Sequence, residues 1–397
     1  MLGLASTVSS SSTPESLYSV IFDGAGDYIE LGDNLDLGTA DFSISFWAYV
    51  PEGTSQNFIS KFEDSGNRWF ITTQGSDKLQ FLSNVSSSTT MSNSYSGDAV
   101  PENEWFHGVV TCDRSDASGG LTVYVNAVAG TANAADATTL SNSGDLRFGR
   151  QNTSYIGANS KMADVAIWNV ALNLANVQAI YNSGRPTNLT FDSGNYDNSS
   201  ALQAYYRMGN GTFDDKANGV VHDQHAFGFG SEMVTNGHFD TNVSGWTQHL
   251  DNASSITQGA YGGRSGVARV VVSSTGTTDR FRQDITWEKD CLYYFSVDVF
   301  LLSGKFRIDG ADGTIIGAGP GSGADVLGTI NYDAAVDDRW RTLTGYAQAL
   351  RTGGTDQVWI RSNGIAAEFY IDNFSIKKLN GLPGLTAGDT AFSSDTP

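Results

Sequence analysis

The chain has 397 residues, a formal net charge of −20, 40% hydrophobic residues and 11% aromatic residues. This length is typical of two or three domains, and the apolar content excludes a disordered chain. An acidic surface of this kind repels nucleic acid and anionic membranes, so we expect neither as a partner. No apolar run approaches the length of a membrane span.

The chain begins with a Ser/Thr-rich segment, residues 1–17, which predicts an N-terminal arm. It lacks a basic region followed by a long apolar region, so we expect no signal peptide. From Tyr18 onward, short strands alternate with turn residues, as in "FSISFWAYV" (42–50) and "EWFHGVVTCD" (104–113). Evenly spaced short strands are typical of a sandwich or jelly roll.

One helix interrupts the strands. In "NVALNLANVQAIYNSGRP", Asn173 is placed to cap the helix, Leu174, Val177 and Tyr181 share a face, and Gly184 ends it.

Residues 188–231 are looser and predict a closing strand and a linker. A second β-rich region covers 232–380, and the polar tail 381–397 predicts a C-terminal arm that orders only against a neighbour. The first region would then span 18–187. The sequence therefore predicts an all-β protein with two β-sandwich (jelly-roll) domains in tandem, one short helix and extended terminal arms.

Cys112 and Cys291 each lie inside an apolar strand-like run, in different predicted domains. We expect two buried cysteines and no disulfide between them.

The first region resembles the laminin-G-like branch of the concanavalin-A-like sandwich. The resemblance rests on four stretches in the family's order, which cover roughly 19–187: "VIFDGAGDYIELG", "FSISFWAYV", "EWFHGVVTCDRSDASGGLTVYVNA" and "GDLRFGR…KMADVAIWNVALNLANVQAIYNSG".

The second region resembles a family 4/9 carbohydrate-binding module, a jelly roll of the galactose-binding-like kind. The matching pieces include "MVTNGHFDTNVSGW" (233–246), "CLYYFSVDVF" (291–300) and "EFYIDNFSI" (368–376).

Three further segments resemble virion structural proteins of tailed phages, especially marine ones: "MLGL", "AYYRMGNGTFDDKANGVVHDQ" and the final "DTP". This resemblance implies a non-enzymatic virion surface protein, in a tail fibre, a tail appendage or a capsid decoration. We expect it to be made in the host cytoplasm and to contact other virion proteins and host surface polysaccharide. A homo-oligomer such as a trimer is expected. The alternative is a secreted carbohydrate-active enzyme or adhesin with the same domains.

Catalysis by the first domain would need two carboxylates on one strand, as in the Glu-x-Asp-x-x-Glu pattern of laminarinase-like relatives. The one Glu-x-Asp in the chain, Glu288–Asp290, lies in the second region without a third carboxylate. We therefore expect no enzymatic activity.

Two aspartates stand in apolar strands, Asp164 in "KMADVAIWNV" and Asp372 in "EFYIDNFSI". A charge beside a core needs a partner. The resembled families place a structural calcium ion at such positions, which here implies Asp164 with Asp23 and Asp27, and Asp372 with Asp240. The alternative is a carboxylate that accepts backbone N–H bonds.

Sugar binding needs a flat aromatic ring and polar groups that bond hydroxyls. Strand parity turns Tyr294 and Asp298 outward on one strand, and Trp359 and Arg361 outward on another. These four residues are the predicted glycan site. For Trp359 a subunit contact or packing between domains remains the alternative.

Overall fold

The structure, a computed structural model, describes most of the chain. The described residues are 16–51, 56–73, 77–94, 99–212, 214, 216–217, 219–225, 228–249, 254–273, 280–288, 291–310, 315–317, 330–331, 339–349, 356–362, 364–381 and 383–397. Within these ranges nearly all regular structure is β-strand, which confirms the predicted all-β class with two sandwiches. No helix in the described ranges is long and apolar enough to cross a membrane.

The chain forms two compact units. Unit 1 contains residues 1–226 and 381–397, and unit 2 contains residues 227–380. Unit 2 is thus inserted into unit 1, and the tail 381–397 is not the arm that the sequence predicts. The backbone of this tail adds one strand to each sheet of unit 1. Strand pairing uses backbone N–H and C=O groups, so a segment with polar side chains can take part in it.

The described residues of unit 1 form two eight-stranded sheets. Sheet I consists of β1 (Ser19–Phe22), β3 (Phe42–Tyr49), β8 (Trp105–Cys112), β9 (Leu121–Val125), β10 (Val128–Ala129), β14 (Ser160–Trp168), β15 (Leu202–Tyr206) and β30 (Ala391–Ser393). Sheet II consists of β2 (Tyr28–Glu30), β4 (Asn57–Phe62), β5 (Arg68–Thr73), β6 (Leu79–Val85), β7 (Ser88–Ser94), β11 (Asp145–Phe148), β16 (Val220–His222) and β29 (Pro383–Ala387). A small hairpin joins β12 (Arg150–Gln151) to β13 (Ser154–Tyr155).

The strand order of sheet I is β10-β9-β8-β3-β14-β1-β30, and β15 also pairs with β14. The order of sheet II is β16-β29-β2-β11-β4-β5-β6-β7. The core contains buried side chains of both sheets, among them Phe46, Trp69 and Phe106.

Helix α1 (Leu174–Tyr181) lies on the other face of sheet I. The side chain of Asn173 accepts the N–H of Asn176 at 3.0 Å, which confirms the predicted cap. Val177 and Ile180 are buried in a cluster with Trp168 of β14. Leu174, which we expected on the buried face, is 47% exposed. A short 3-10 turn at Ser199–Ala201 precedes β15.

In the part of unit 2 that the structure describes, the strands form a seven-stranded and a five-stranded sheet. Sheet III consists of β17 (Phe229–Glu232), β19 (Ser255–Tyr261), β20 (Arg264–Val272), β22 (Leu292–Ser303), β24 (Ile315–Gly317), β26 (Arg341–Ala349) and β28 (Ala367–Leu379). Sheet IV consists of β18 (Thr247–His249), β21 (Arg280–Ile285), β23 (Lys305–Gly310), β25 (Ile330–Asn331) and β27 (Asp356–Arg361).

The order of sheet III is β19-β20-β28-β22-β26-β24, with β17 on β28, and that of sheet IV is β18-β21-β27-β23-β25. Buried residues of both sheets, such as Phe295, Phe369 and Ile360, form one core. The outer faces of the two sheets therefore point in opposite directions. Cys112 is buried in unit 1, as predicted, whereas Cys291 in unit 2 is only partly buried because it lies just before β22; the two form no disulfide.

Candidate functional site

The outer face of sheet IV carries an alternating row of polar and aromatic side chains. In β27, Val358 and Ile360 are fully buried in the core. The period of two turns Trp359 and Arg361 to the other face, as the sequence predicts, and Gln357 lies on that face as well.

The Trp359 ring is covered by arginine rather than open to solvent. The side chain is 7% exposed. The Arg280 guanidinium carbon lies 3.8 Å from the ring centroid, and that of Arg361 lies 5.7 Å from it. The indole Nε1–H donates to Gln357 Oε1 at 3.1 Å. Guanidinium groups therefore lie against the Trp359 ring, and its role in glycan binding stays a prediction.

A buried carboxylate anchors the same face. Asp309 in β23 is 0% exposed. It accepts a hydrogen bond from Arg307 Nε at 2.5 Å and another from Arg361 Nε. Burial raises the pKa of Asp309, while the two arginines act in the opposite direction. The ion pairs fix the guanidinium groups of Arg307 and Arg361 in place.

Tyr294 and Asp298, the other two predicted glycan residues, lie on sheet III and so belong to the opposite outer face. The Tyr294 ring packs between Phe229, at a centroid distance of 5.2 Å, and Tyr346, at 5.4 Å. The four predicted residues therefore do not form one site.

Asp298 and Asp372 share one arginine. Arg264 Nη1 lies 2.7 Å from Asp298 Oδ2 and 3.1 Å from Asp372 Oδ2. Burial acts to raise the pKa of Asp298, but hydrogen bonds from Thr342, Asn373 and Arg264 outweigh it, so its pKa is lowered. The charge in the β28 strand is thus compensated by a guanidinium group.

Asp240, the predicted calcium partner of Asp372, is exposed, and its backbone oxygen accepts a hydrogen bond from Gln258 Nε2 at 3.3 Å. Among the described residues, neither Asp240 nor Asp372 belongs to a group of three metal-ligating side chains. A calcium ion held by Asp372 and Asp240 stays a prediction.

Asp164 lies where β14 changes its partner from β1 to β15. It has a φ of 46° at an irregularity in the pairing with β3. Its Oδ1 accepts the Tyr205 hydroxyl at 2.7 Å and lies 3.4 Å from Arg207 Nε. Burial raises the pKa of Asp164, against the effects of Arg207 and Tyr205. Asp164 therefore has an arginine and a tyrosine as partners, and the predicted grouping with Asp23 and Asp27 is wrong.

Asp23 and Asp27 instead meet Asp389 from the C-terminal segment. One ligand atom from each of the three lies within 4.8 Å of the others. Asp27 is 2% exposed. Its Oδ2 accepts the Asp23 N–H at 2.9 Å and its Oδ1 accepts the Asp389 N–H at 3.0 Å. Burial raises the pKa of Asp27, and the charges of Asp23 and Asp389 add to this. Three oxygen donors fit a hard cation such as calcium.

Several residues around these sites were missed by the sequence reasoning. The alternation in "RFRQDI" and "KFRIDG" places the charged residues of β21 and β23 on the same face of sheet IV. This pattern is visible in the sequence. The residues are Arg280, Arg282, Arg307 and Asp309 on sheet IV, Arg264 beside Asp372, and Asp389 beside Asp27.

Comparison with known proteins places a named domain in unit 1. Residues 23–178 match the family model described as the Concanavalin A-like lectin/glucanases superfamily. The predicted laminin-G-like resemblance is confirmed over these residues. A search of curated proteins gives no match.

Three solved structures each resemble part of the chain. One is a putative carbohydrate-binding protein from Bacteroides ovatus, with a TM-score of 0.40, 16% identity and coverage of 53% of this chain and 56% of that chain. Another is a heptameric SAP-like pentraxin from Limulus polyphemus, with a TM-score of 0.33, 13% identity and coverage of 43% and 83%. A third is a CBM4 structure, with a TM-score of 0.27, 16% identity and coverage of 36% and 99%.

Proposed function

We propose that the protein is a non-enzymatic glycan-binding protein and that the outer face of sheet IV holds the glycan. The observation that carries this proposal is the array of planar donors fixed around Trp359. Arg280 and Arg361 stack on the ring, and Gln357 accepts its N–H. Sugar hydroxyls are recognised by a few convergent polar groups whose positions are set in advance. The concanavalin A-like lectin/glucanase domain in unit 1 is in keeping with this role.

Two features of the outer face of sheet IV suit such a site, and the first is the position of Trp359. Its ring is nearly buried, so the ring aligns the guanidinium groups above it and a sugar meets those groups first. Arg282 Nη1 donates to Gln357 Oε1 at 3.2 Å, which ties β21 to β27 across the face. The donors therefore keep their spacing when a ligand arrives.

The test is binding of the full chain to a glycan array, followed by affinity electrophoresis with the glycans that bind. Gln357→Ala removes one polar group of the face and is expected to weaken binding about 2- to 10-fold, the effect of one hydrogen bond. Gln258→Ala on sheet III is the matched control, since Gln258 is exposed on the other sheet. Equal affinity of both variants, or no glycan bound at all, contradicts the proposal.

We further propose that the protein sits on the virion surface of a tailed phage, as a tail fibre, tail appendage or capsid decoration. The support is the resemblance of residues 1–4, 204–224 and 395–397 to virion proteins. A homo-oligomer, such as a trimer, that contacts other virion proteins is part of this proposal. Antibodies against unit 2 should decorate purified particles in immunogold images. Particles without label would show that the protein is not a virion component.

We also propose a structural calcium ion held by Asp23, Asp27 and Asp389. Such an ion would join the start of the chain to its last residues, because calcium takes oxygen ligands from distant segments. A ligand that binds only the folded state raises the melting temperature. An unfolding curve that is the same with and without chelator contradicts calcium binding.

A further inference from the structure

Basic side chains outnumber acidic ones on the described outer face of sheet IV, although the chain is acidic overall: Arg280, Arg282, Lys305, Arg307 and Arg361 against Asp284 and Asp309. The whole chain has 43 Asp and Glu residues against 23 Lys and Arg residues. Four arginines nevertheless project from three neighbouring strands of this face. We call them the arginine face: Arg280, Arg282, Arg307 and Arg361.

The strand register places like charges opposite each other. Arg307 of β23 pairs directly with Arg361 of β27. Like charges in directly opposed positions destabilise a sheet. Asp309, which receives hydrogen bonds from both arginines, offsets the repulsion within this pair. The buried carboxylate of Asp309 thus fixes the guanidinium groups of Arg307 and Arg361 on the outer face of sheet IV.

The remaining arginines are positioned by neighbouring planar groups. Arg280 lies over the Trp359 ring at 3.8 Å, and Arg282 is opposite Trp359 in the register and bonded to Gln357. A guanidinium group that stacks through its face keeps its N–H donors at the edge of the plane. Edge donors of this kind match the two oxygens of a carboxylate or a sulfate.

We propose that the glycan bound by the arginine face is an acidic polysaccharide, recognised through its carboxylate or sulfate groups. This inference rests on the proposed function and specifies its ligand. A neutral glycan offers only uncharged oxygen acceptors, which form weaker hydrogen bonds with guanidinium groups than a carboxylate or a sulfate does. An anionic glycan forms charge-assisted hydrogen bonds with Arg280 and Arg282 and is attracted to a local positive field.

The experiment compares the full chain on matched pairs of polymers by isothermal titration calorimetry. Polygalacturonate and its methyl ester differ in the carboxylate, and dextran sulfate and dextran differ in the sulfate. We expect about ten-fold or tighter binding to the charged member of at least one pair, which also identifies the anionic group. Binding should weaken as the salt concentration rises, since salt screens exposed charges.

The double variant Arg280→Gln with Arg282→Gln tests the location and leaves the Asp309 ion pairs in place. It should lose the preference for the charged polymer. Arg269→Gln is the matched control, because Arg269 forms an exposed ion pair with Glu368 on sheet III. Circular dichroism melting of each variant confirms that it is folded.

Each outcome is informative. Loss of the preference in the double variant but not in the control supports the inference. Equal binding to charged and neutral polymers overturns it and leaves the proposed glycan binding intact. Equal effects of the double variant and the control overturn the assignment to the arginine face. No binding to any polymer or array glycan overturns the proposed function itself.

Discussion

Removal of residues 381–397 should unfold unit 1 and leave unit 2 folded. The segment contributes β29, which lies between β16 and β2 in sheet II, and β30, which lies at the edge of sheet I. Without β29, β16 loses the one strand with which it pairs in the described part of the chain, and β2 loses one of its two neighbours. Unit 2 has its own core and its own sheets.

The expected loss of stability follows from the pairing. Three residue pairs join β29 to β16, three join β29 to β2, and three join β30 to β1. At about 1 kcal/mol of net stability per pair, the loss approaches 10 kcal/mol. The contact of the Asp389 N–H with Asp27 and the ion pair of Lys161 with Asp395 are lost as well. A domain is usually stable by about 5–15 kcal/mol, so truncation removes most of this margin.

Hydrogen exchange with peptide-level mass spectrometry distinguishes the two units. In the truncated chain, peptides from β3 and β14 should exchange as in an unfolded protein, and peptides from β22 and β28 should remain protected. Protection of β3 and β14 equal to that of the full chain would refute the reasoning.

A point variant tests the same contact with less disruption. Gly388 has a φ of 75°, and a Cβ there would lie 2.3 Å from Asp27 Oδ1. Gly194 has a φ of 60° and nothing within 4 Å of its Cβ position. Both Ala variants carry the left-handed backbone penalty. Gly388→Ala should therefore cost about 1–3 kcal/mol more than Gly194→Ala, as the effect of overpacking alone. Equal costs would show that the tail is not held against Asp27.

Three more outcomes follow from the charged groups. Asp27→Asn should abolish any rise in melting temperature that calcium gives, and Asp372→Asn should leave it intact. Arg264→Ala should cost about 2 kcal/mol in denaturant unfolding because it leaves two partly buried carboxylates uncompensated, while Arg269→Ala, in an exposed ion pair, should cost less than about 1 kcal/mol. The hydrogen bond from Lys161 lowers the pKa of Asp395 in the folded state. The Asp395 carboxylate therefore contributes fully to the free energy of unfolding above the ordinary Asp pKa, and this contribution is lost as the pH falls through the lowered pKa. Asp395→Asn should make the free energy of unfolding less dependent on pH in that range.

Local patterns in the sequence were sufficient for the fold class and for strand orientation. Alternation placed Val358 and Ile360 inside and Arg361 outside, and the structure agrees. The cap at Asn173 was also evident, since a side chain that bonds a backbone N–H three residues later is a local interaction. Both features depend on residues that are close in the chain.

The pairing of residues 381–397 with the sheets of unit 1 could not be predicted from local patterns. Residues 381–397 are polar and rich in turn residues, and they enter the sheets through backbone hydrogen bonds. Phe392 of β30 does pack against the core of unit 1, but a single apolar residue in a polar segment gives no strand pattern in the sequence. Asp389 and Asp27 are 362 residues apart, so nothing local predicts their contact.

The two strand aspartates show why the sequence indicated a cation but not which one. Asp372 finds Arg264, which is 108 residues away, and Asp164 finds Arg207, which is 43 residues away. An arginine and a calcium ion satisfy a buried carboxylate equally well as opposite charges, and choosing between them needs the register of distant strands. In the described part of the chain, Asp23, Asp27 and Asp389 have no Lys or Arg in an ion pair with them. Asp23, Asp27 and Asp389 meet one another without such an arginine among the described residues, and this is why we propose the calcium ion there.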